Sequence, residues 1–332
     1  MMMKNRAIML AVAAVSIILI YHMIGGSGVR LGYDTGNETF GSSSGTNADL
    51  TGVDVAIYES FYKYERIEES RAAMYNMFSW MNASVQLVNQ TDLLNGCLWC
   101  FEVLVIPEGL GPFLESDLTD EGMQIIRDWV ALGGSYVGVR GSTSIAVTKG
   151  YFEGRNETFE LGLFNGTSVG MPDMGHTLAT ELRLNLACDG PDLSFMPATM
   201  TTTFCTGRYF EADEGQEMIV IAEYDYNNQP AMIASHYGDG NLFLSSPHFE
   251  YEEDDARDGT EYFDEYDDPD SEWPLILEIT KWLLDDSAIV ANQTVWPAPD
   301  PAPFLVDPTV MFATAGIAAV VVVVMLLVRA KR

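Results

Sequence analysis

The chain has 332 residues and a formal net charge of −31, with 17 basic and 48 acidic side chains. A surface this acidic repels phosphate and argues against nucleic acid as a partner. Hydrophobic residues nevertheless make up 48% of the chain and aromatic residues 11%, which excludes a disordered acidic polypeptide. The apolar residues are concentrated at the two ends, and the stretch between them is long enough for one large domain or two small ones.

The first apolar segment covers residues 7–24 and follows Lys4 and Arg6. Such a run is typical of either a cleaved signal peptide or an uncleaved signal anchor. The sequence GGSG that follows offers no clear cleavage site, which favours an anchor for residues 1–24. Residues 25–52 are rich in Gly, Ser, Thr and Asn, a composition that predicts a flexible linker.

A second apolar segment, residues 310–328, contains no charged side chain and precedes a basic tail at 329–332. At about 1.5 Å per residue it nearly spans the hydrocarbon core of a bilayer, which predicts a transmembrane helix. Basic residues flank both apolar segments on their outer sides, so both termini are predicted to be cytoplasmic if the first segment is not cleaved. The main domain then lies outside the cell membrane, and the proline-rich stretch 287–309 is predicted to be its stalk.

Six Asn-x-Ser/Thr sequons lie between the two apolar segments, more than chance predicts for this length. Glycosylation at a sequon requires an exported chain, so their number supports the same orientation. The candidate glycosylation sites are Asn37, Asn82, Asn89, Asn156, Asn165 and Asn292.

All four cysteines fall within the proposed exterior domain, where disulfides persist. We expect a Cys188–Cys205 disulfide that ties two segments of the second half, which leaves Cys97 and Cys100 as the other pair. Cys205 is therefore interpreted as a disulfide partner and not as a nucleophile. The Cys-Leu-Trp-Cys motif at 97–100 could alternatively be a redox site or half of a metal site, but zinc needs a second pair with matching spacing. No metal is predicted.

Residues 53–286 are predicted to form the main domain. In its first half, short apolar strands alternate with helices, a pattern that predicts a mostly parallel sheet covered on both faces. From Leu178 onward, strands follow one another closely, and an amphipathic helix closes the domain. The predicted strands are 53–57, 85–88, 103–106, 136–139, 181–186, 199–204, 218–224, 231–235 and 242–245, and the predicted helices are 66–81, 273–284 and one that runs from Asp120 to the glycines at 133–134.

Three motifs carry a family resemblance. GSYVGVRG at 134–141 looks like a strand-to-helix nucleophile elbow, FCTGRYF at 204–210 like a small aromatic–glycine motif, and GNLFLSSPHFE at 240–250 like a strand bearing His-x-Glu. In this order they resemble the class I glutamine amidotransferase-like superfamily, in the subgroup named after the biotin-protein ligase N-terminal domain. The resemblance covers roughly residues 53–285 and implies an α/β, flavodoxin-like three-layer sandwich.

The resemblance also implies a chemistry. A cysteine at the elbow attacks a carbonyl, a histidine moves the proton, a carboxylate orients that histidine, and backbone amides hold the oxyanion. His248 and Glu250 match the base and its orienting carboxylate. PEGLG at 107–111 matches the oxyanion loop, with Glu108 in place of an expected glycine. The nucleophile position holds Arg140, and a guanidinium cannot attack a carbonyl.

Several interpretations of the elbow remain open. The site is either a catalytically degenerate relic, or a site where Arg140 and His248 hold a carboxylate or another anion. Arg140 could equally pair with Glu250 and close the pocket. A hydrolase that uses Ser142 or Ser144 is a further alternative, although the sequence GSTS there is not a G-x-S-x-G motif.

We therefore predict a pseudoenzyme with a pocket at the C-terminal edge of the sheet, which needs no cofactor and binds an anionic small molecule or an extracellular protein. A purely structural surface protein is the remaining alternative. The predicted pocket residues are Glu108, Gly109, Arg140, Ser142, His248 and Glu250.

An acidic run covers residues 250–270 and is interpreted as a solvated loop. Part of it resembles a calcium loop, but Ala256 stands where such a loop needs an oxygen ligand, so at most weak divalent binding is expected. The matching positions are Asp254, Asp258, Gly259 and Glu265.

Overall fold

A computed structural model describes residues 49–171, 177–252, 256–266 and 270–285. Both apolar terminal segments, the stalk and most of the linker lie outside these ranges, as do the sequons at Asn37 and Asn292. Within the described ranges, no helix combines the length and the apolar character needed to cross a bilayer. The two membrane segments therefore stay predictions.

The described part of the chain forms thirteen strands. They are β1 Asp54–Tyr58, β2 Ser84–Val88, β3 Val103–Ile106, β4 Ser135–Val139, β5 Val147–Phe152, β6 Arg155–Thr158, β7 Phe164–Gly170, β8 Thr177–Leu184, β9 Thr199–Cys205, β10 Arg208–Ala212, β11 Ile219–Tyr224, β12 Pro230–Tyr237 and β13 Gly240–Ser245.

Nine strands form one large mixed sheet in the order β2-β1-β3-β4-β13-β12-β11-β8-β9. Four of its strand pairings are parallel, from β2 to β13, and four are antiparallel, from β13 to β9. The expected predominance of parallel pairing therefore does not hold. Strands in the second half are joined without crossover helices, and only antiparallel neighbours can be connected so directly.

A second sheet of four strands, in the order β10-β7-β5-β6, is absent from the sequence-based prediction. Its outer strand β6 is exposed at every position and has the polar sequence RNET, so it shows no apolar alternation. The strand β10 pairs with β7 and leads the chain from the end of β9 back past the strand-to-helix turn after β4.

The described ranges also contain five α-helices: α1 Glu65–Trp80, α2 Gln90–Leu94, α3 Gly111–Ala131, α4 Gly141–Ala146 and α5 Trp273–Asp285. Alternate residues of the parallel strands face opposite layers. Val55 and Ile57 pack with α1 and α5, whereas Ala56 and Tyr58 pack with α3. This three-layer arrangement explains why those strands are apolar on both faces.

The helix α3 starts at Gly111 rather than at the predicted Asp120. Thr119 interrupts it with a φ of 61°, and Asp120 begins its second segment. The predicted helix start at Asp120 thus corresponds to a kink inside a longer helix. The earlier start matters for function, because it places the first turn of α3 beside the elbow.

No disulfide joins the four cysteines, all of which lie in the described residues. Antiparallel register pairs Arg183 with Thr199 at one end of β8 and Thr177 with Cys205 at the other. Cys188 follows the first of these ends, so the two sulfurs lie at opposite ends of a strand pair about 20 Å long. The predicted Cys188–Cys205 bond is therefore wrong.

The predicted Cys97–Cys100 pair is also wrong. Both residues belong to a single 3₁₀ turn, in which Cys97 is fully buried in the core layer of α3. Burial raises the pKa of the Cys97 thiol to about 12. A thiol held in its protonated form is a poor redox group or metal ligand.

Denatured, non-reduced protein is expected to titrate with four thiols per chain against a colorimetric thiol reagent. The reason is the separation of Cys188 from Cys205 and the burial of Cys97. Reduced protein supplies the control value. Two thiols, or none, would contradict the described fold.

Candidate functional site

Arg140 occupies the sharp turn between β4 and α4 with φ 56° and ψ −115°. This conformation is unfavourable for a residue with a Cβ, and such backbone strain persists where the surrounding structure enforces it. The backbone N–H of Arg140 donates to the carbonyl of Ser245 at 2.8 Å, and its carbonyl accepts from Thr143 at 3.1 Å. Strand β13 and the first turn of α4 therefore fix the turn from two sides.

The loop 107–111 contacts this turn backbone to backbone. A Cβ added to Gly141 would lie 1.4 Å from the carbonyl oxygen of Gly109. Only glycine permits this approach. The contact holds Glu108, the neighbour of Gly109, over the elbow.

His248 and Glu250 form a fully buried pair. The carboxylate of Glu250 lies 2.9 Å from Nδ1 of His248, and both side chains have no exposed surface. Ser70 in α1 donates its hydroxyl to the same carboxylate oxygen at 2.7 Å, and the N–H of Phe249 donates to the other oxygen at 3.0 Å. The backbone N–H of His248 donates to Thr203 in β9. The pair is thus oriented from three elements of the fold.

The side chain of Glu108 reaches three cationic groups. Its Oε2 lies 3.7 Å from Nε2 of His248, and its Oε1 lies 3.6 Å from Nε of Arg140 and 3.8 Å from Nη1 of Arg66. All three distances are longer than a hydrogen bond. Oε2 of Glu108, Nε2 of His248 and Nε of Arg140 are buried and have no hydrogen-bond partner.

The rest of the Arg140 guanidinium faces the end of β9. Its Nη2 donates to the hydroxyl of Thr206 at 2.8 Å and contacts Sγ of Cys205 at 3.2 Å. One of the sequence-based interpretations paired Arg140 with Glu250. In the structure Arg140 pairs with Glu108 instead. The thiol of Cys205, which was predicted to form a disulfide, instead contacts Arg140 in the site.

A cavity of about 530 Å³ opens above these residues at the C-terminal ends of the parallel strands. Its wall includes three arginines, three glutamates, three serine or threonine hydroxyl groups, Tyr64 and the first turns of α1 and α3. The side chains of His248 and Glu250 lie behind this wall, under Glu108 and Arg140. The polar wall residues are Glu65, Arg66, Glu108, Arg140, Ser144, Glu157, Thr206, Arg208 and Ser246.

Ser142 does not belong to the cavity wall, contrary to the prediction. It is fully buried, and its hydroxyl accepts from the N–H of Val139 and donates to the carbonyl of Val139, both at 2.7 Å. These bonds close the turn of the elbow and use the hydroxyl's proton. Ser144, two residues further along α4, does line the cavity.

The pKa of His248 is raised above its usual value of 6.5. Burial acts in the opposite direction and is the largest single effect, but the charge and hydrogen bond of Glu250 together with the charge of Glu108 outweigh it. The imidazole between two carboxylates is therefore stabilised in its protonated form. A protonated imidazole cannot accept a proton, which weakens it as a general base.

The raised pKa of His248 predicts that the free energy of unfolding decreases as the pH rises above 6.5. Below this value the stabilisation is fully present, and it is lost as the pH rises through the higher pKa of the folded state. Denaturant unfolding between pH 6 and 9 measures the slope, and His248→Asn should flatten it. Asp258, whose pKa burial raises to about 7, changes stability in the same direction at lower pH, so Asp258→Asn serves as the control background. An unchanged slope in His248→Asn would refute the assignment.

The partial calcium loop has no arrangement for a cation in the described residues. No group of three or more His, Cys, Asp or Glu side chains there could hold a metal ion. Both carboxylate oxygens of Asp258 accept backbone N–H groups, from Glu252 at 3.2 Å and Thr260 at 3.1 Å. Asp254 lies outside the described residues.

Sequence reasoning did not find four residues of the site: Arg66, Ser70, Thr206 and Arg208. Ser70 and Glu250 are 180 residues apart in the sequence, and no motif connects them. Arg66 lies in the predicted helix 66–81 and Arg208 in the motif at 204–210, but nothing in a single sequence indicates that they face one cavity. Only the fold brings them together.

A comparison with known families decides the relationship. The family described as "Biotin-protein ligase, N terminal" matches residues 65–271, more than half of the chain. The chain belongs to this family. This membership confirms the family resemblance that the motifs indicated. The matched range contains the elbow, the loop 107–111 and the His248–Glu250 pair.

Two solved structures illustrate how distant individual likenesses are. A protein from Bacteroides uniformis described as ThuA-like is similar over 75% of this chain and 97% of its own, with 10% identity and a TM-score of 0.49. A glutamine amidotransferase is similar over 64% of this chain and 97% of its own, with 16% identity and a TM-score of 0.44. Neither likeness carries information on chemistry. Among curated proteins, none matches the sequence.

Proposed function

We propose that this domain binds an anionic small molecule in the cavity above the elbow and does not cleave amides by the cysteine route of amidotransferases. Arg140 stands at the position that the motif resemblance assigns to the nucleophile. The observation that carries the proposal is the position of Arg140, which lines the cavity on a strained turn. A nucleophile would need this same position on the turn, and a guanidinium holds it instead.

The distribution of donors supports an anionic ligand. Arg66 and Arg208 line the cavity together with Arg140. The helices α1 and α3 both begin in the wall, and neither has a side-chain cap at its N-terminus. Their first N–H groups and the positive ends of their dipoles favour negative charge. The cavity thus brings three guanidinium groups and two uncapped helix N-termini together, beside three glutamates.

The state of His248 supports a binding role over catalysis. Its Nδ1 faces Glu250 and its Nε2 faces Glu108, and between two carboxylates the protonated form is favoured. Glu108 also separates the imidazole from the cavity.

Calorimetric titration with acetate, succinate and glutamate tests the proposal. Wild-type protein is expected to bind at least one of these carboxylates, and Arg140→Met to bind it at least tenfold more weakly, since a charge-assisted hydrogen bond is lost. Lys149→Met is the matched control, because Lys149 is an exposed cation paired with Asp213 outside the cavity. Equal affinity in wild type and Arg140→Met, or no binding by wild type, would refute the proposal.

We also propose that the two apolar terminal segments hold the domain outside the cell membrane. The four sequon asparagines in the described residues, Asn82, Asn89, Asn156 and Asn165, are all exposed, as modification requires. Intact cells of the native host, treated with a protease that cannot enter them, should lose the domain. Protection of the domain in intact cells, with cleavage only after lysis, would contradict this location.

A further inference from the structure

The carboxylate of Glu108 is held in an unusual way. Its side chain is 8% exposed, so it is almost removed from water. A buried carboxylate is normally stabilised by several hydrogen bonds. Oε2 of Glu108 has none, and the nearest cations lie 3.6 to 3.8 Å away. The side chain therefore occupies a cationic site without filling it closely.

The basic side chains around the Glu108 carboxylate outnumber the carboxylates of the cluster. Arg140, Arg66 and the protonated His248 face it, whereas Glu250 is the second carboxylate of the cluster. Nε2 of His248 and Nε of Arg140 are both buried and have no hydrogen-bond partner. These two atoms lie on either side of the Glu108 carboxylate. Together they define a binding position, here called the seat, for a carboxylate that approaches them more closely than Glu108 does.

We propose that His248, Arg140 and Arg66 form a seat for a ligand's carboxylate group, and that the side chain of Glu108 is an internal occupant of this seat. The inference rests on the proposed function and specifies which group of the ligand is recognised and where. Binding exchanges one carboxylate for another: Glu108 moves toward the cavity, and the ligand's two oxygens take the donors on Nε2 of His248 and Nε of Arg140.

The geometry favours a carboxylate over a phosphate. The seat has donors on two sides, one facing each oxygen of a planar group, as the two oxygens of Glu108 already demonstrate. A phosphate would bring further oxygens and a second negative charge toward Glu250, which is fully buried behind His248. The cavity directly outside has room for the remainder of a small organic acid.

Removing the internal occupant tests this inference. In Glu108→Ala the seat is vacant, so acetate is expected to bind at least tenfold more tightly than to wild type. Acetate should also raise the Tm of this variant, by about 5–10 °C at a concentration 100 times its Kd. Glu108→Gln keeps a side chain of the same shape in the seat and should show neither effect. Glu214→Ala removes an exposed carboxylate that does not line the cavity and is the matched control.

The double variant Glu108→Ala/Arg140→Met should lose the response to acetate, and inorganic phosphate should not replace acetate in Glu108→Ala. If Glu108→Ala does not fold, Glu108→Ser is prepared in buffer that contains acetate; failure of both variants to fold even there would overturn the inference. It is equally overturned if acetate stabilises Glu108→Ala and Glu108→Gln alike. Wild-type binding of larger carboxylates that depends on Arg140, without a response in Glu108→Ala, would leave the proposed function standing and refute this seat alone.

Discussion

Replacing Gly141 with alanine is expected to prevent the native fold from forming. The added Cβ would lie 1.4 Å from the carbonyl oxygen of Gly109, a backbone atom that cannot rotate away. Either the loop 107–111 or the turn at Arg140 must move, and these segments directly follow the central strands β3 and β4. We expect a loss of about 4 kcal/mol or more in the free energy of unfolding, at the extreme of single substitutions.

Chemical denaturation followed by circular dichroism measures this loss. Gly122→Ala is the matched control, since Gly122 lies within α3 and the nearest atom to an added Cβ is Oγ1 of Thr119 at 3.9 Å. There the substitution should be neutral or stabilise by about 0.5–1 kcal/mol, because alanine loses less backbone entropy than glycine in a helix. A fully stable Gly141→Ala would show that the loop and the elbow are not in contact.

Glu250→Ala is expected to cause the second large loss, about 3–5 kcal/mol, because it leaves a buried imidazolium without its main partner. The same substitution removes the acceptor for Ser70 and for the N–H of Phe249. The exposed pair Lys149–Asp213 provides the comparison. Asp213→Ala should change the free energy of unfolding by no more than about 0.5 kcal/mol.

Urea denaturation of both variants at pH 6, where His248 is charged in the folded protein, makes the difference largest. Above the folded pKa of His248 the cost of Glu250→Ala should fall, since the neutral imidazole needs no counter-charge. A cost for Glu250→Ala as small as that for Asp213→Ala would mean that His248 is neutral in the folded protein.

The parallel half of the fold could be predicted because local pattern and burial agree there. Strands β1, β3 and β4 are apolar on both faces and are joined by helices. Their sequences therefore predict a central sheet covered on both sides. The four-stranded sheet could not be predicted, because β6 is exposed throughout and the sequences of β5 and β7, VTKGYF and FNGTSVG, are largely polar or glycine-containing.

The site was predictable only where it coincides with motifs. Each of Arg140, His248 and Glu250 lies in a motif that the resemblance aligns, and in the structure Glu108 lies near both Arg140 and His248, while Glu250 contacts His248. Ser142 was misplaced, since the direction of a side chain in a strained turn is decided by its bond to Val139. Cys205 was assigned to a disulfide because sequence alone does not give strand register, and register separates it from Cys188.

Ammonia release from glutamine and simple amides tests the central claim most directly. Wild-type protein, with a cation at the elbow, is predicted to release ammonia no faster than buffer alone, and Ser144→Ala and Cys205→Ser should not differ from it. Release by wild type that either substitution abolishes would show that the site has kept hydrolysis with a different nucleophile, and would contradict a binding role for the cavity.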